Sequence, residues 1–162
     1  MIRFAVVGVS ALFLSIGNLV NAEEKLKPMP DLTVDNMGYQ MQRCSALYAS
    51  FSHLISDELE AVQDPIETAR LQEVRSRSKN NSDGLLKTAV LWMTVQDNMS
   101  DAEAVNLAVD TQNALIASYL IHFGQSKLTF KTMFTNTLWA NDAAGCAGLT
   151  KNIGPIIENL KS

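Results

Sequence analysis

The two histidines are the first candidates for acid–base chemistry, because imidazole titrates near neutral pH. His53 falls on the polar side of its predicted helix, where it would face solvent. His122 falls at the edge of an apolar helix face close to Gly124, and the carbonyl end of a helix favours a histidine cation. One functional hypothesis is therefore a hydrolase or transferase that uses His122 together with a nearby carboxylate.

Residue spacings typical of metal, haem and nucleophile sites do not occur in the chain. It has no Cys-x-x-Cys, His-Glu-x-x-His or Glu-x-x-His for a metal, no Cys-x-x-Cys-His for covalent haem and no Gly-x-Ser-x-Gly. Methionines are plentiful, but at helical core spacing methionine is normally a filler of the core. A haem held without covalent bonds by a methionine and a histidine is the alternative. We predict no metal site and no cofactor, and favour a protein that is not an enzyme.

Aromatic and polar residues predict one candidate ligand pocket. Trp92 and Phe134 would form its apolar walls, and Ser78 and Asn81 would supply hydrogen-bonding groups from an interrupted apolar stripe. His122 would lie at its edge. Such a pocket predicts a carrier of a small apolar ligand, although the same residues are also typical of an ordinary core.

The N-terminal residues have the pattern of an export signal. Arg3 precedes an almost wholly apolar run, and Val20-Asn21-Ala22 places small residues where a signal peptidase cleaves. We predict a signal peptide at residues 1–22, cleaved after Ala22, and a periplasmic or secreted mature protein. The alternative is an uncleaved membrane anchor.

The charge balance bears on the kind of partner. The chain has 13 Lys+Arg and 17 Asp+Glu, and removal of Arg3 leaves a mature net charge of 12 − 17 = −5. An acidic protein is a poor match for nucleic acid or for an anionic membrane surface. No second segment is apolar enough to cross a bilayer after cleavage. The expected partner is therefore a protein or a small molecule of unknown identity.

Apolar residues at steps of three and four predict an all-helical domain over residues 35–162, after an extended leader at 23–34 that contains two prolines. The first helix should run from about 36 to about 60. Its polar residues should occupy the solvent side: Gln42, Arg43, Ser45, Ser52 and Ser56. Asp64-Pro65 should open the second helix.

The second helix carries Ser78, Asn81 and Ser82 in the middle of its apolar stripe. A buried polar layer would explain them, but we favour a bend near Gly84 or a locally exposed turn.

The third and last helices leave an alternative open. Ser100 and Glu103 have the spacing of a capping box at the start of the third helix, which either ends at Gly124 or continues to about 140. The last helix should open near Asn141 or Asp142, with a kink at Gly154-Pro155.

A disulfide between Cys44 and Cys146 would distinguish these alternatives, because the Cα atoms of bridged cysteines lie within about 7 Å of each other. With an unbroken third helix the two cysteines differ by about 18 Å along the bundle axis, too far to bridge. With a break at Gly124 and a further helix at about 127–140 that doubles back, the difference falls to about 7 Å. Bridging and the break therefore imply each other, and we expect both.

Two short motifs resemble those of a protein group. They are Arg43-Cys44-Ser45-Ala46-Leu47-Tyr48 and Asp142-x-x-x-Cys146-x-x-Leu149. The chain resembles small exported helical proteins of Gram-negative bacteria, which show Cys-x-x-Leu-Tyr early in the first helix and a second cysteine near the start of the last. The resemblance implies an envelope location and a paired Cys44–Cys146, and it assigns no catalytic residue.

The sequence thus predicts an all-α antiparallel bundle of four to five helices with one disulfide. The first functional hypothesis is a non-catalytic periplasmic protein that binds a partner or assists a complex of the cell envelope.

Overall fold

The computed structural model describes residues 26–31 and 33–161, and the predicted signal peptide at 1–22 lies outside this range. The described residues form helices and no strands. The helices are a 3-10 turn at Val34–Asn36, α1 at Met37–Ala61, α2 at Pro65–Val95, α3 at Asp101–Gln125, a second 3-10 turn at Met133–Thr135 and α4 at Thr137–Lys161. The predicted all-α bundle is confirmed, with four α-helices.

The helix starts follow the capping signals in the sequence. Asp64 Oδ1 accepts a hydrogen bond of 2.8 Å from the backbone N–H of Ile66, and Pro65 occupies the first turn of α2. Ser100 and Glu103 form the predicted capping box at α3. Each cap satisfies backbone N–H groups that have no partner inside the helix.

α1 is the central helix of the bundle. Every residue from Met41 to Leu47 is buried, because α2, α3 and α4 all pack on α1. The prediction that Gln42, Arg43 and Ser45 face solvent was therefore wrong. A helix with neighbours on every side buries its polar residues as well, and those residues then need partners.

A buried polar layer joins the first three helices. Gln112 Nε2 on α3 donates hydrogen bonds to Ser45 Oγ on α1 at 2.6 Å and to Ser82 Oγ on α2 at 3.2 Å, and Ser45 Oγ donates to the Ser82 carbonyl at 2.8 Å. Ser78 is buried one turn away. The buried polar layer is therefore correct, and of the two alternatives that we favoured the locally exposed turn is wrong, because Ser78 and Ser82 are buried in a helix that continues through Gly84.

The break after the third helix is confirmed. α3 ends at Gln125, and Lys127 takes a left-handed conformation with φ of 49° as the chain turns away. The further helix at 127–140 is wrong, because a loop with the short turn at Met133–Thr135 replaces it. α4 also begins earlier than Asn141, because Asn136 Oδ1 accepts a hydrogen bond from the N–H of Leu138 and supplies an earlier cap.

The predicted disulfide is confirmed. Cys44 on α1 and Cys146 on α4 are bonded, with their Cα atoms 5.2 Å apart, and both are fully buried. The residues between them form a loop that spans 102 positions. None of the helices in the described part of the chain has the length and apolar content that a bilayer crossing requires.

The core lies around α1 and extends into the leader. Leu26 and Met29 of the leader pack against it, and the Met29 sulfur lies 3.1 Å from where a Cβ on Gly145 would be. Gly145 therefore lets the leader approach α4 closely.

We predict that the Cys44→Ala/Cys146→Ala double variant folds but loses about 3–4 kcal/mol of unfolding free energy. Its unfolded chain regains the freedom that closure of a loop of this length removes. Urea unfolding followed by circular dichroism measures the loss. Reductant should weaken the wild type towards the variant and leave the variant unchanged, and equal stability of the two oxidised proteins would contradict the expectation.

Candidate functional site

The most buried ionic cluster joins three helices and the leader. Arg43 on α1 is 2% exposed and Asp142 on α4 is 0% exposed. Arg43 Nη2 and Nε donate to Asp142 Oδ2 at 2.6 and 3.0 Å, and Nη2 also donates to the Lys27 carbonyl at 2.6 Å. Tyr119 Oη on α3 donates to the same Asp142 oxygen at 2.5 Å. We call Arg43, Tyr119 and Asp142 the ionic cluster.

The pKa values in the ionic cluster favour a charged Arg43 and a protonated Tyr119. Burial alone would lower the pKa of Arg43, but Tyr119 and Asp142 outweigh it and the pKa lies above its usual value. Burial, followed by the negative charge of Asp142, raises the pKa of Tyr119 well above 10.0. The guanidinium therefore stays charged and the phenol stays protonated, so the cluster holds its protons tightly.

Two buried polar atoms, one in the ionic cluster and one beside it, have no hydrogen-bond partner among the described residues. They are Asp142 Oδ1 and the indole Nε1 of Trp139, both buried in the first turns of α4. The Trp139 ring is enclosed by other aromatic rings, with centroid distances of 5.2 Å to Tyr119, 5.5 Å to Phe51 and 6.0 Å to Phe123. This packing closes the ionic cluster off from solvent.

The ionic cluster was missed in the sequence, although a signal was present. Arg43 precedes Cys44, and Asp142 lies one helical turn before Cys146. Once the cysteines are paired, the two charged residues must lie close together on facing helices. A buried position for Arg43 followed from the disulfide, but helical periodicity alone placed it on the solvent side.

The five predicted pocket residues do not gather at one place. Trp92 lies against α1 at Gly38, where a Cβ would be 3.3 Å from its ring, whereas Phe134 packs edge-on to Phe51 with ring centroids 5.4 Å apart. Gly38 and Phe51 are separated by about 20 Å along α1. Trp92 and Phe134 are thus at different levels of the bundle.

The remaining pocket candidates and His53 have separate environments. Ser78 is buried one helical turn before Ser82 of the polar layer. Asn81 directly precedes Ser82 and is half-buried. His122 is half-buried, with Nε2 at 3.4 Å from Asn136 Oδ1 and 3.5 Å from Ser126 Oγ. His53 is exposed, as predicted. In the described residues, no group of three or more His, Cys, Asp or Glu side chains could hold a metal ion.

The outer side of α3 exposes a row of apolar side chains, which share that side with Asp110 and Thr111. Leu107 and Ile121 are 45% and 40% exposed, and Ala114 and Ala117 between them are exposed as well. Steps of seven, three and four residues align these four side chains along the helix. We call Leu107, Ala114, Ala117 and Ile121 the outer stripe.

Two further apolar residues of α3 are exposed on another side of the helix, because they lie two residues before and two residues after Leu107. Val105 and Val109 are 45% and 37% exposed. α3 contains no lysine or arginine, and its acidic residues Asp101, Glu103 and Asp110 all lie in its first ten positions. Exposed apolar patches mark interaction sites.

Comparison of the chain with protein-family models, with curated proteins and with solved structures found no match. Function therefore has to be inferred from the surfaces and clusters of this chain alone.

We predict that Asp142→Leu lowers the unfolding free energy by about 3–5 kcal/mol, because it leaves the Arg43 guanidinium buried without its anion. The double variant Arg43→Met/Asp142→Leu removes both charges and should be the more stable of the two. Urea unfolding of both variants measures the difference. If the double variant were the less stable one, the cost would come from lost packing and the ionic account would be wrong.

We also predict a pH effect from Tyr119. Below about pH 10 the phenol is protonated in both the folded and the unfolded state, so it adds no pH dependence. Above that pH the unfolded chain releases the proton while the folded chain keeps it, and the unfolding free energy falls by about 1.4 kcal/mol per pH unit from this group. Tyr119→Phe should remove that part of the slope in urea unfolding between about pH 9 and pH 11.

Tyr39→Phe is the matched control, because Tyr39 is 41% exposed and lies outside the ionic cluster. It should retain the wild-type slope. Identical slopes for Tyr119→Phe and the wild type would show that Tyr119 releases its proton in the folded state.

Proposed function

We propose that this chain is an exported, non-catalytic helical-bundle protein that binds a protein partner in the bacterial cell envelope. The observation that carries the proposal is the outer stripe, which places two large apolar side chains and two alanines on the exposed side of a folded helix. Water solvates such a surface poorly, so its burial against a partner releases free energy.

The position of the outer stripe supports a role in binding. α3 is fixed from its inner side by Gln112 in the polar layer and by Tyr119 in the ionic cluster. The backbone of the outer stripe is thus held by buried contacts before any partner arrives. A preorganised helix face loses little conformational freedom on binding.

The ionic cluster supports a structural role over a catalytic one. Arg43 and Asp142 are both buried. Arg43 Nε, Arg43 Nη2 and Tyr119 Oη all donate to Asp142, and Nη2 also donates to the leader backbone. A general acid or base has to reach the proton that it transfers to or from a substrate. A cluster enclosed by Trp139 and its aromatic neighbours offers no such approach.

Two features support export. The N-terminal 22 residues have the composition of a signal peptide. The bond between Cys44 and Cys146 suits an oxidising compartment such as the periplasm, where paired cysteines persist.

We predict that a photoreactive benzophenone amino acid at Leu107 captures one defined protein adduct when the full chain is expressed in the cells that make it. The same group at Lys79, an exposed residue of α2, is the control and should capture none. Fractionation should find the adduct in the periplasm. Equal capture at both positions, or an adduct in the cytoplasm, would contradict the proposal.

A further inference from the structure

We infer that the partner on the outer stripe is a second copy of this chain, with the two α3 helices antiparallel and crossing at Ala114. This inference rests on the proposed partner-binding function and names the partner at that same surface. The two copies would be related by a twofold axis, so each contributes the same residues to the interface.

The side-chain sizes along the outer stripe fit this arrangement. Leu107 lies seven residues before Ala114, and Ile121 lies seven residues after it. A twofold axis at Ala114 therefore places Leu107 of each copy beside Ile121 of the other. The small Ala114 side chains at the centre let the helices approach, while the larger exposed side chains on both sides of the centre bury each other.

Charge along α3 fits the antiparallel direction. The N-terminal end carries Asp101 and Glu103, whereas the C-terminal end has no acidic residue and is followed by Lys127. An antiparallel pair brings each acidic end next to the basic end of the second copy and aligns the helix dipoles favourably. A parallel pair would place the acidic ends side by side.

The same charge distribution disfavours a uniformly cationic helix as the occupant. Such a helix would match the acidic first part of α3, but after Asp110 the helix has no acidic residue. Only a partner with an acidic end and a basic end complements both halves. A second copy of α3 has this charge distribution because it has the same sequence.

The interface needs no rearrangement of the fold. α4 packs on α1 and α2, and its bonds to Arg43 and Cys44 hold it there. Ala114, Ala117 and Ile121 are exposed in this arrangement. The second copy can therefore dock as a rigid body.

Cysteine cross-linking tests both the contact and its direction, on the full chain exported by its own host. Ala114→Cys places one thiol of each copy at the twofold axis, so oxidation should link most of the protein as a dimer. Ala117→Cys thiols would be about 9 Å apart along an antiparallel pair, beyond bridging distance, and should link several-fold less. Equal linking of the two variants would indicate a parallel pair and overturn the proposed direction.

Native mass spectrometry of the purified exported protein tests the dimer itself. The wild type should have the mass of two chains. Ala114→Glu should have the mass of one chain, because it places two carboxylates opposite each other while keeping a good helix former at an exposed position. Ala69→Glu, the same change at an exposed residue of α2, should remain a dimer. Circular dichroism verifies that all three proteins are helical.

The outcomes separate this inference from the proposed function. A wild-type monomer, or an Ala114→Glu variant that stays dimeric, would overturn the second copy as the occupant. The benzophenone at Leu107 then shows whether a different protein binds the outer stripe, which would leave the proposed function standing. A monomer without any adduct at Leu107 would overturn both.

Discussion

The position of α4, and with it the final shape of the bundle, depends on the pair formed by Arg43 and Asp142. Arg43 and Cys44 are neighbours on α1, and each holds a residue of α4 one helical turn from the other. The disulfide fixes one point of α4, whereas the ion pair beside it fixes how the helix is rotated about that point. A buried ion pair adds little net stability compared with apolar residues of similar size, but loss of one partner is costly. Its effect is therefore mainly to exclude other orientations of α4.

A second constraint acts on the first three helices. Ser45, Ser82 and Gln112 satisfy one another only when α1, α2 and α3 are aligned at one level. A slip of any helix by one turn would leave buried polar groups without partners, at about 1–3 kcal/mol each. The polar layer thus sets the register of α1, α2 and α3, and the ionic cluster sets the position of α4. Since α4 is held against α1, the outer stripe of α3 stays open to a partner.

Periodicity and capping residues were sufficient to predict the first three helices, because these signals are local. Asp64-Pro65 and the pair Ser100 and Glu103 act within one helical turn, so neither depends on the rest of the chain. The disulfide and the end of α3 were predictable together, because bridging imposes a distance that only a broken helix satisfies. Arg43 was placed on the wrong side because an apolar pattern reports the average preference of a face. It does not show that α1 has other helices on every side. The burial of the Arg43 charge can be predicted only when its partner Asp142 is known.

The predicted ligand pocket was wrong for a related reason, because periodicity gives the face of a helix and not the position along the bundle axis. Trp92 and Phe134 were grouped because each is a large aromatic residue on an apolar stripe, but membership of a stripe carries no information about level along the bundle. The outer stripe was overlooked because Leu107 and Ile121 also look like ordinary apolar residues of a helix. What distinguishes them is exposure in the folded chain, and exposure depends on where the ionic cluster and the disulfide hold α4.

Sequence separation orders these constraints during folding. Contacts within the α1–α2 and α2–α3 hairpins join neighbouring helices, whereas Arg43 and Asp142 are 99 residues apart and the cysteines are 102 apart. Closing a long loop costs more conformational entropy than closing a hairpin, so we expect α4 to dock on a preformed three-helix core. Arg43 and Cys44 are open until that step, which gives an oxidant access to a thiol that the finished fold encloses. The docking of α4 then buries the charge and the disulfide together, and the ion pair helps to select the rotation of α4 before the sulfurs react.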